Sequence, residues 1–258
     1  MIDASSASSS LAAIIMAAGQ GKRMNNPDKA KVMYELNGTP LIGHVVRLAI
    51  LLGCQPIVAV VGHQRQSVID YLGKADFPVT FAVQEQQLGT AHAVMATEES
   101  LTGFDGDIII LSGDAPLTRP ETLLAALRKH KEHAAAVTVL TAVLPDASGY
   151  GRVIRDAQGA VLRIVEHKDA NEEERAIREI NSGIYIFNRH ALFTALKRVD
   201  NDNAQGEYYL PDVFSIFRSE DRVMLPFVVD DIDEIRGINT LEQLEDMEML
   251  YKQRQMER

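Results

Sequence analysis

The stretch Ala12-Ala-Ile-Ile-Met16-Ala-Ala-Gly19-Gln-Gly21-Lys22-Arg23-Met24 joins a short aliphatic run to a loop of small and basic residues. An uninterrupted aliphatic run is typical of a strand that is buried on both faces of a parallel sheet. The glycines that follow allow the backbone to approach a ligand closely. Because ligands bind at the carboxyl ends of the strands in open α/β sheets, the stretch predicts such a sheet with a binding loop after its first strand.

The same alternation of aliphatic and amphipathic stretches continues to about residue 145. Strands are predicted over 12–16, 57–61, 79–83, 108–111 and 136–141, and helices over 41–52, 65–72, 90–101 and 120–133. This is the pattern of βαβ units, so we expect an α/β fold with a mostly parallel sheet and helices on both faces.

The pattern then changes into a smaller α+β portion. Strands are predicted over 151–154, 161–166 and 179–187, with a polar helix over 170–178. Apolar residues at helical spacing predict a C-terminal amphipathic helix over 241–257. The sequence has no repeat of fixed period, and in particular no hexapeptide repeat of the kind that builds a parallel β-helix.

The composition limits both the class of protein and its partners. Of the 258 residues, 46% are hydrophobic and 24% are charged, which is usual for a globular protein. The 26 basic residues are outnumbered by 36 acidic ones, and the net charge of −10 predicts no nucleic acid partner. A few basic groups that converge in one cleft can still bind a small phosphate ligand.

The start of the sequence carries no signal for export or membrane insertion. Residues 1–10 contain no Lys or Arg, and the apolar run over 11–19 is about half of the roughly 20 residues that cross a bilayer. We therefore expect a cytoplasmic protein without a membrane partner. A single cysteine, Cys54, excludes an internal disulfide, and His130 and His133 lack a third ligand for zinc.

The loop after the first strand does not match the general phosphate-binding motifs. Its Gly-x-Gly-x-x sequence ends in Met24 where the dinucleotide fingerprint has glycine, and no Gly-Lys-Ser/Thr P-loop occurs. The loop does bring basic charge, from Lys22 and Arg23 and then from Lys29 and Lys31. It can be a phosphate-binding loop or a solvated turn.

A second feature is the buried strand over 108–111, which is followed by Ser112-Gly113-Asp114-Ala-Pro116-Leu. A carboxylate at the end of a central parallel strand faces the same crevice as the first loop. Mg²⁺ is commonly held by one or two carboxylates together with substrate phosphates. Asp114 can instead cap the turn before Pro116. The presence of both features at adjacent strand ends favours a nucleotide and metal site.

A series of motifs resembles, in order, those of N-acetylglucosamine-1-phosphate uridyltransferases over about residues 11–250. They are Met16-Ala-Ala-Gly-x-Gly-x-Arg23-Met, Lys31-Val, Gln84-x-x-Gln-Leu-Gly89-Thr90-Ala-His-Ala, Gly113-Asp114-x-Pro-Leu, Gly149-Tyr-Gly151-Arg, Ile164-Val-Glu166-His-Lys-Asp-Ala, Glu179-Ile-Asn181-Ser-Gly, Asn203-Ala-Gln-Gly-Glu-Tyr-Tyr and Gly237-Ile-Asn239. One such motif is weak by itself, but nine in order make a chance match very improbable. The strings Glu166-His-Lys-Asp-Ala and Asn203-Ala-Gln-Gly-Glu-Tyr-Tyr are specific to this branch of the sugar nucleotidyltransferases.

The resemblance implies a Rossmann-like nucleotide-diphospho-sugar transferase fold and a domain plan. We expect a disordered tail over 1–10, a nucleotidyltransferase domain over 11–240 and a C-terminal helix or linker over 241–258. Within the domain, residues 11–145 would mainly bind the nucleotide and residues 146–240 the sugar. The implied reaction joins UTP and N-acetylglucosamine-1-phosphate into UDP-N-acetylglucosamine and pyrophosphate, with Mg²⁺ as the cofactor.

The resemblance also implies roles for individual residues. The nucleotide would be bound by Met16, Ala17, Ala18, Gly19, Lys31, Gln84, Gly89, Thr90, Ser112, Gly113 and Asp114. The sugar would be bound by Gly151, Glu166, Asn181 and Asn239. Catalysis would depend on Arg23, Lys31 and Asp114, and the metal ligands would be Asp114 and Asn239.

Several of these residues also have a purely structural interpretation. Gln84 can be a solvent-facing strand residue, and Glu166 can be a surface partner of Lys168. Asn181 can be a turn residue, and Asn239 can be the N-cap of the last helix, which is compatible with metal binding. The ordered set of motifs favours the functional roles.

The sequence departs from the usual pattern of the family at several positions. Ser112 stands where the best-known members carry Tyr, Met16 where Leu is usual, and Ala91 where Gly is common. Pro211 follows Tyr-Tyr-Leu where Thr is often found. The left-handed β-helix that acetylates glucosamine-1-phosphate and forms the trimer in bifunctional members is not expected here. The chain can be a single-activity enzyme or part of a longer one, and its oligomeric state stays open.

Two other functions stay open from the sequence. A related transferase for another sugar or nucleotide would share the loop and the metal site, and a nucleotide-sugar sensor could keep the pocket without the chemistry. The acidic run over 230–234 is expected to be a solvated loop because clustered carboxylates repel one another.

Overall fold

The computed structural model describes residues 10–24 and 26–256, and for Lys22 it describes the backbone. In these ranges the strands are β1 (Ser10–Ala17), β2 (Glu35–Leu36), β3 (Thr39–Pro40), β4 (Ile57–Val61), β5 (Val79–Val83), β6 (Gly106–Ser112), β7 (Val137–Val143), β8 (Arg152–Arg155), β9 (Val161–Val165), β10 (Glu179–Asn188) and β11 (Met224–Val228). The α-helices are α1 (Leu41–Leu51), α2 (Arg65–Lys74), α3 (Thr90–Met95), α4 (Pro120–Glu132), α5 (Glu172–Ala176), α6 (Arg189–Leu196), α7 (Val213–Ser219) and α8 (Leu241–Met256). Of the predicted tail over 1–10, residues 1–9 lie outside the described residues. Ser10 belongs to β1, so the tail prediction is wrong at that residue.

A single large sheet organises the molecule, with the strand order β11-β7-β10-β6-β1-β4-β5 and with β8 and β9 attached beside β10. Strand β1 lies in its interior and pairs in parallel with both β4 and β6. The α/β fold with a mostly parallel sheet is confirmed. Strand β10 runs antiparallel between β6 and β7.

The core lies on both faces of this sheet. Successive residues of β1 point to opposite faces, so that Ile14 packs with one hydrophobic cluster and Ile15 with the other. This explains why the central strands read as continuous aliphatic runs. A third, smaller cluster joins α8 to the rest of the fold through Leu117, Ile238 and Met247.

Two predicted helices are shorter than the sequence suggested. The helix predicted over 90–101 ends at Met95, and a separate 3-10 turn follows at Glu99–Leu101. The buried Thr97 hydroxyl donates to the Val94 carbonyl oxygen at 2.7 Å and so competes for a helical acceptor. The helix predicted over 170–178 is limited to α5, which Asn171 caps. The terminal helix is confirmed to Met256, and residue 257 lies outside the described residues.

The acidic run over 230–234 is not a solvated loop, so that prediction is wrong. Asp231 forms ion pairs with Arg119 at 2.9 Å and with Arg254 at 2.5 Å. Glu234 is buried and accepts a hydrogen bond from the backbone N–H of Arg119 at 3.3 Å. Basic partners that are distant in sequence therefore neutralise the repulsion that the local pattern suggested.

Among the described helices, none is long and apolar enough to cross a membrane.

Candidate functional site

The carboxyl ends of β1 and β6 open into a cleft of about 290 Å³. Met16 lies opposite Ser112 in the parallel register, so the glycine loop and the Asp114 turn meet at the same sheet edge. The N–H of Gly113 donates to the carbonyl oxygen of Met16 at 3.0 Å. A Cβ at Gly113 would lie 2.8 Å from that oxygen, so the approach of the two segments requires glycine. The cleft is also lined by Ala17, Ala18 and Gly19.

A second wall of the cleft is formed by the segment between β5 and α3. Gln84 is buried, and its Nε2 donates to the carbonyl oxygen of Gly89 at 3.0 Å and lies 3.1 Å from Nδ1 of His92. The interpretation of Gln84 as a solvent-facing strand residue is therefore wrong. Thr90 accepts a hydrogen bond from the backbone N–H of Leu210 through its Oγ1 at 2.9 Å. Gln84, Gly89 and Thr90 all line the cleft.

The basic end of the site gathers Arg23, Lys31, Asp114 and Asn239. Nη2 of Arg23 donates to Oδ1 of Asn239 at 2.7 Å, and Nζ of Lys31 donates to the same oxygen at 3.0 Å. Nζ of Lys31 also forms an ion pair with Oδ2 of Asp114, and each side chain of this pair is 17% exposed. The backbone Ala115 N–H closes the turn through the Ser112 carbonyl oxygen at 3.1 Å. This turn places the carboxylate of Asp114 against the ammonium group of Lys31.

The oxygens of Asp114 and Asn239 suit a small divalent cation. Both are hard oxygen donors of the kind that Mg²⁺ prefers. The ammonium group of Lys31 bridges the two oxygens and so marks a position between them where positive charge fits. Gly237 leaves space beside the carboxylate, because a Cβ there would lie 3.1 Å from Oδ2 of Asp114. The residues present therefore fit the metal that the resemblance implies.

Three of the predicted sugar ligands converge where β8, β9 and β10 meet. The backbone N–H of Asn181 donates to the carbonyl oxygen of Gly151 at 2.9 Å. A Cβ at Gly151 would lie 3.4 Å from Oε1 of Glu166. Asn181 is itself oriented, since its Nδ2 donates to the hydroxyl of Tyr185 at 2.7 Å. Asn239, the fourth predicted sugar ligand, contacts Arg23 and Lys31 instead.

Glu166 has an unusual electrostatic environment. Burial raises its pKa, and the neighbouring carboxylates of Asp169, Asp212 and Glu207 raise it further. The ammonium group of Lys168 donates to Gln205 at 2.6 Å, so the interpretation of Glu166 as a surface partner of Lys168 is wrong. A carboxyl group in such surroundings favours hydrogen bonding to a neutral hydroxyl group over binding another anion.

Two further polar residues line the cleft in addition to the predicted site residues. Gln87 and Glu207 both face the cleft and the adjoining concavity that contains Arg23 and Asn239. Each lies inside a quoted motif, so their position in the motif was the signal that could have identified them. The side chain of Lys22 lies outside the described part of the chain, and Lys29 stacks against the ring of Tyr34.

Comparison with known proteins gives consistent matches. The model of a family described as nucleotidyl transferase matches residues 12–233. A bifunctional protein GlmU from Brevibacillus brevis is 48% identical over 248 residues, which are 96% of this chain and 53% of that protein. A bifunctional protein GlmU from Bacillus cereus is 45% identical over 242 residues, which are 94% of this chain and 52% of that protein. The chain spans about half the length of the curated relatives it matches.

A solved structure of UDP-glucose pyrophosphorylase complexed with UDP-glucose has the same fold. It superimposes with a TM-score of 0.77 at 19% identity and covers 95% of this chain and 99% of that one. At this identity the match concerns the architecture alone. The mostly parallel sheet flanked by helices is thus an architecture that is also found in a solved sugar-nucleotide enzyme.

Proposed function

Because this chain belongs to the nucleotidyl transferase family, we propose that it transfers the uridylyl group of UTP to N-acetylglucosamine-1-phosphate. The products are UDP-N-acetylglucosamine and pyrophosphate. The observation that carries the proposal is the convergence of Arg23, Lys31, Asp114 and Asn239 at the edge of the cleft that Gln84 helps to line. The ordered motifs and the relatives named bifunctional protein GlmU support the choice of substrates.

The chemistry requires positioning and positive charge. A phosphate oxygen of the sugar phosphate forms a bond to the α-phosphorus of UTP, and the bond from that phosphorus to the oxygen that bridges it to the β-phosphorus breaks. Pyrophosphate leaves with the electron pair. The attacking oxygen is already ionised, so no general base and no covalent intermediate are needed. In-line alignment of two polyanions is then the main task of the protein.

The basic residues are suited to this task. Arg23 and Lys31 would neutralise the phosphates, and the low exposure of Lys31 strengthens its interaction with a bound anion because little water screens it. Asp114 and Asn239 would hold Mg²⁺, which when bound supplies Lewis-acid neutralisation of phosphate oxygens. Asp114 and Asn239 also hold the side chains of Arg23 and Lys31 in place when no ligand is bound.

The remaining residues would set specificity. The backbone of residues 16–19, with Gln84, Gly89 and Thr90, would bind uracil and ribose, and Ser112 and Gly113 would also contact the nucleotide. Gly151, Glu166 and Asn181 would hold the amino sugar, which offers neutral hydroxyl and amide groups. Since both substrates are soluble metabolites, the cytoplasm is the compartment we propose.

The test is release of pyrophosphate from UTP and N-acetylglucosamine-1-phosphate, with and without Mg²⁺, by the whole chain. We expect Mg²⁺-dependent release and much slower turnover with other nucleotides or with glucose-1-phosphate. Faster turnover with another pair would reassign the substrates within the family. Binding of UDP-N-acetylglucosamine without any pyrophosphate formation would indicate a sensor and contradict the proposal.

A further inference from the structure

The last helix begins immediately beside the proposed metal site. Thr240 caps α8, because its Oγ1 accepts a hydrogen bond from the N–H of Gln243 at 3.2 Å. Oε1 of Gln243 in turn accepts from the backbone N–H of Asn239 at 2.7 Å. This resembles a capping box, in which a glutamine or glutamate at the third helical position reaches back to the start of the helix. Asn239 therefore precedes the cap, and Thr240 takes the N-cap role that the sequence allowed for Asn239.

The hydrogen bond from Asn239 to Gln243 fixes a residue whose side chain is also constrained. Nδ2 of Asn239 donates to the carbonyl oxygen of Gly237 at 3.1 Å, and this directs Oδ1 toward the side chains of Arg23 and Lys31. The preceding residue, Ile238, donates its N–H to the carbonyl oxygen of Asp114 at 2.9 Å. Gln243 belongs to α8, so this hydrogen bond ties the backbone of Asn239 to a regular helix.

Helix α8 is a firm support for this contact. Met247 is buried, and it packs in one cluster with Leu117 and Ile238. Leu117 lies three residues after Asp114, and Ile238 directly precedes Asn239. Both proposed metal ligands are therefore next to residues that pack on the same helix.

We propose that Gln243 is a positioning residue, which holds Asn239 so that its amide oxygen is directed to the cation between it and Asp114. The inference rests on the proposed function, since it takes Asp114 and Asn239 as metal ligands. Gln243 itself lines neither the cleft nor the adjoining concavity that contains Arg23 and Asn239. Loss of such an outer hydrogen bond typically weakens a metal site by about 10- to 100-fold.

The test compares Mn²⁺ binding in variants of the whole chain, measured by electron paramagnetic resonance with UTP present and without a sugar phosphate. Gln243→Met keeps the volume but removes the acceptor, and we expect Mn²⁺ to bind about 10-fold more weakly. Gln243→Glu keeps a carboxylate acceptor and should bind Mn²⁺ as the parent does. Glu245→Ala, which is exposed on the same helix, should change nothing.

Melting curves identify the temperatures at which each variant is folded, and Mn²⁺ binding is compared below them. If Gln243→Met does not fold, Gln243→Ala is used in its place. A structural role alone would lower the melting temperature and leave Mn²⁺ affinity intact, and that result overturns the inference. Equal weakening in Gln243→Met and Gln243→Glu overturns it as well. Asp114→Asn separates the two claims, because unchanged Mn²⁺ binding in that variant would refute the metal assignment and the inference with it.

Discussion

Gly89→Ala should open the junction between the cleft-lining loop over 84–89 and the segment that follows Glu207. Gly89 has a φ of +112°, a conformation that side chains strongly disfavour, and a Cβ there would lie 2.4 Å from the carbonyl oxygen of Tyr208. The two segments are joined by hydrogen bonds from Tyr208 N–H to the Leu88 carbonyl oxygen at 2.8 Å and from Ala91 N–H to the Tyr208 carbonyl oxygen at 2.9 Å. Relief of the clash requires the segments to separate by about 1 Å, since such contacts are normally near 3.5 Å.

The cost can be worked out from these contacts. Two lost hydrogen bonds contribute about 1 kcal/mol each, and the unfavourable backbone conformation, with a ψ of 176°, adds about 1–3 kcal/mol. The total of about 3–5 kcal/mol should appear as a lower free energy of unfolding, or as UTP affinity weakened by on the order of 10²- to 10³-fold if the loop opens locally. Denaturant unfolding and calorimetric titration with UTP measure the two quantities.

A control at a second glycine with a positive φ tests whether the steric clash, and not the positive φ alone, causes the loss of stability and of UTP affinity. Gly103 has a φ of +77°, and no heavy atom lies within 4 Å of the position its Cβ would take. Gly103→Ala should therefore cost only about 1–2 kcal/mol and leave UTP binding unchanged. If Gly89→Ala matched Gly103→Ala in both measurements, the packing of the loop over 84–89 against Tyr208 would not matter and the reasoning would be refuted.

Three other perturbations have definite outcomes. Asp114→Asn should lower Mg²⁺-dependent pyrophosphate release by on the order of 10²-fold or more with little change in melting temperature, and full turnover would contradict its role. Lys31→Met should bind Mn²⁺ about tenfold more tightly than the parent when no nucleotide is present, because the ammonium group no longer competes for Asp114; weaker binding would contradict this. Burial, with Asp200 and Asp169 nearby, raises the pKa of Asp212 to about 6. The folded state therefore binds the proton of this carboxyl group more tightly than the unfolded state does, and the free energy of unfolding falls as the pH rises from about 4 to above 6. Asp212→Asn should therefore raise the melting temperature at about pH 8 and lose this advantage at about pH 4, whereas an equal gain at both pH values would exclude titration as the cause.

The architecture of the sheet is largely readable from the sequence. Runs such as those of β1 and β6 are buried on both faces, and this leaves a continuous aliphatic signal. The meeting of Met16 and Ser112 at one edge then follows from parallel pairing. The direction of β10 does not follow, because a period of two residues is the same in parallel and antiparallel strands.

Features that depend on individual side-chain contacts could not be predicted. Glu234 is buried because Arg119, 115 positions earlier, supplies its hydrogen bond, and the local run of acidic residues contains no sign of that partner. Thr97 ends α3 by a side-chain hydrogen bond that hydrophobic periodicity does not register. For the candidate site, motif order predicted a set of residues, but the bridging of Asp114 and Asn239 by Lys31 needed coordinates.

The most direct measurement is a crystal structure of the chain with UTP and Mn²⁺, with anomalous scattering used to locate the metal. We expect the Mn²⁺ peak in contact with the carboxylate of Asp114 and the amide oxygen of Asn239, with uracil beside Gln84 and the triphosphate beside Lys31. UTP bound outside this cleft, or a metal peak away from Asp114, would contradict the assignment of the site.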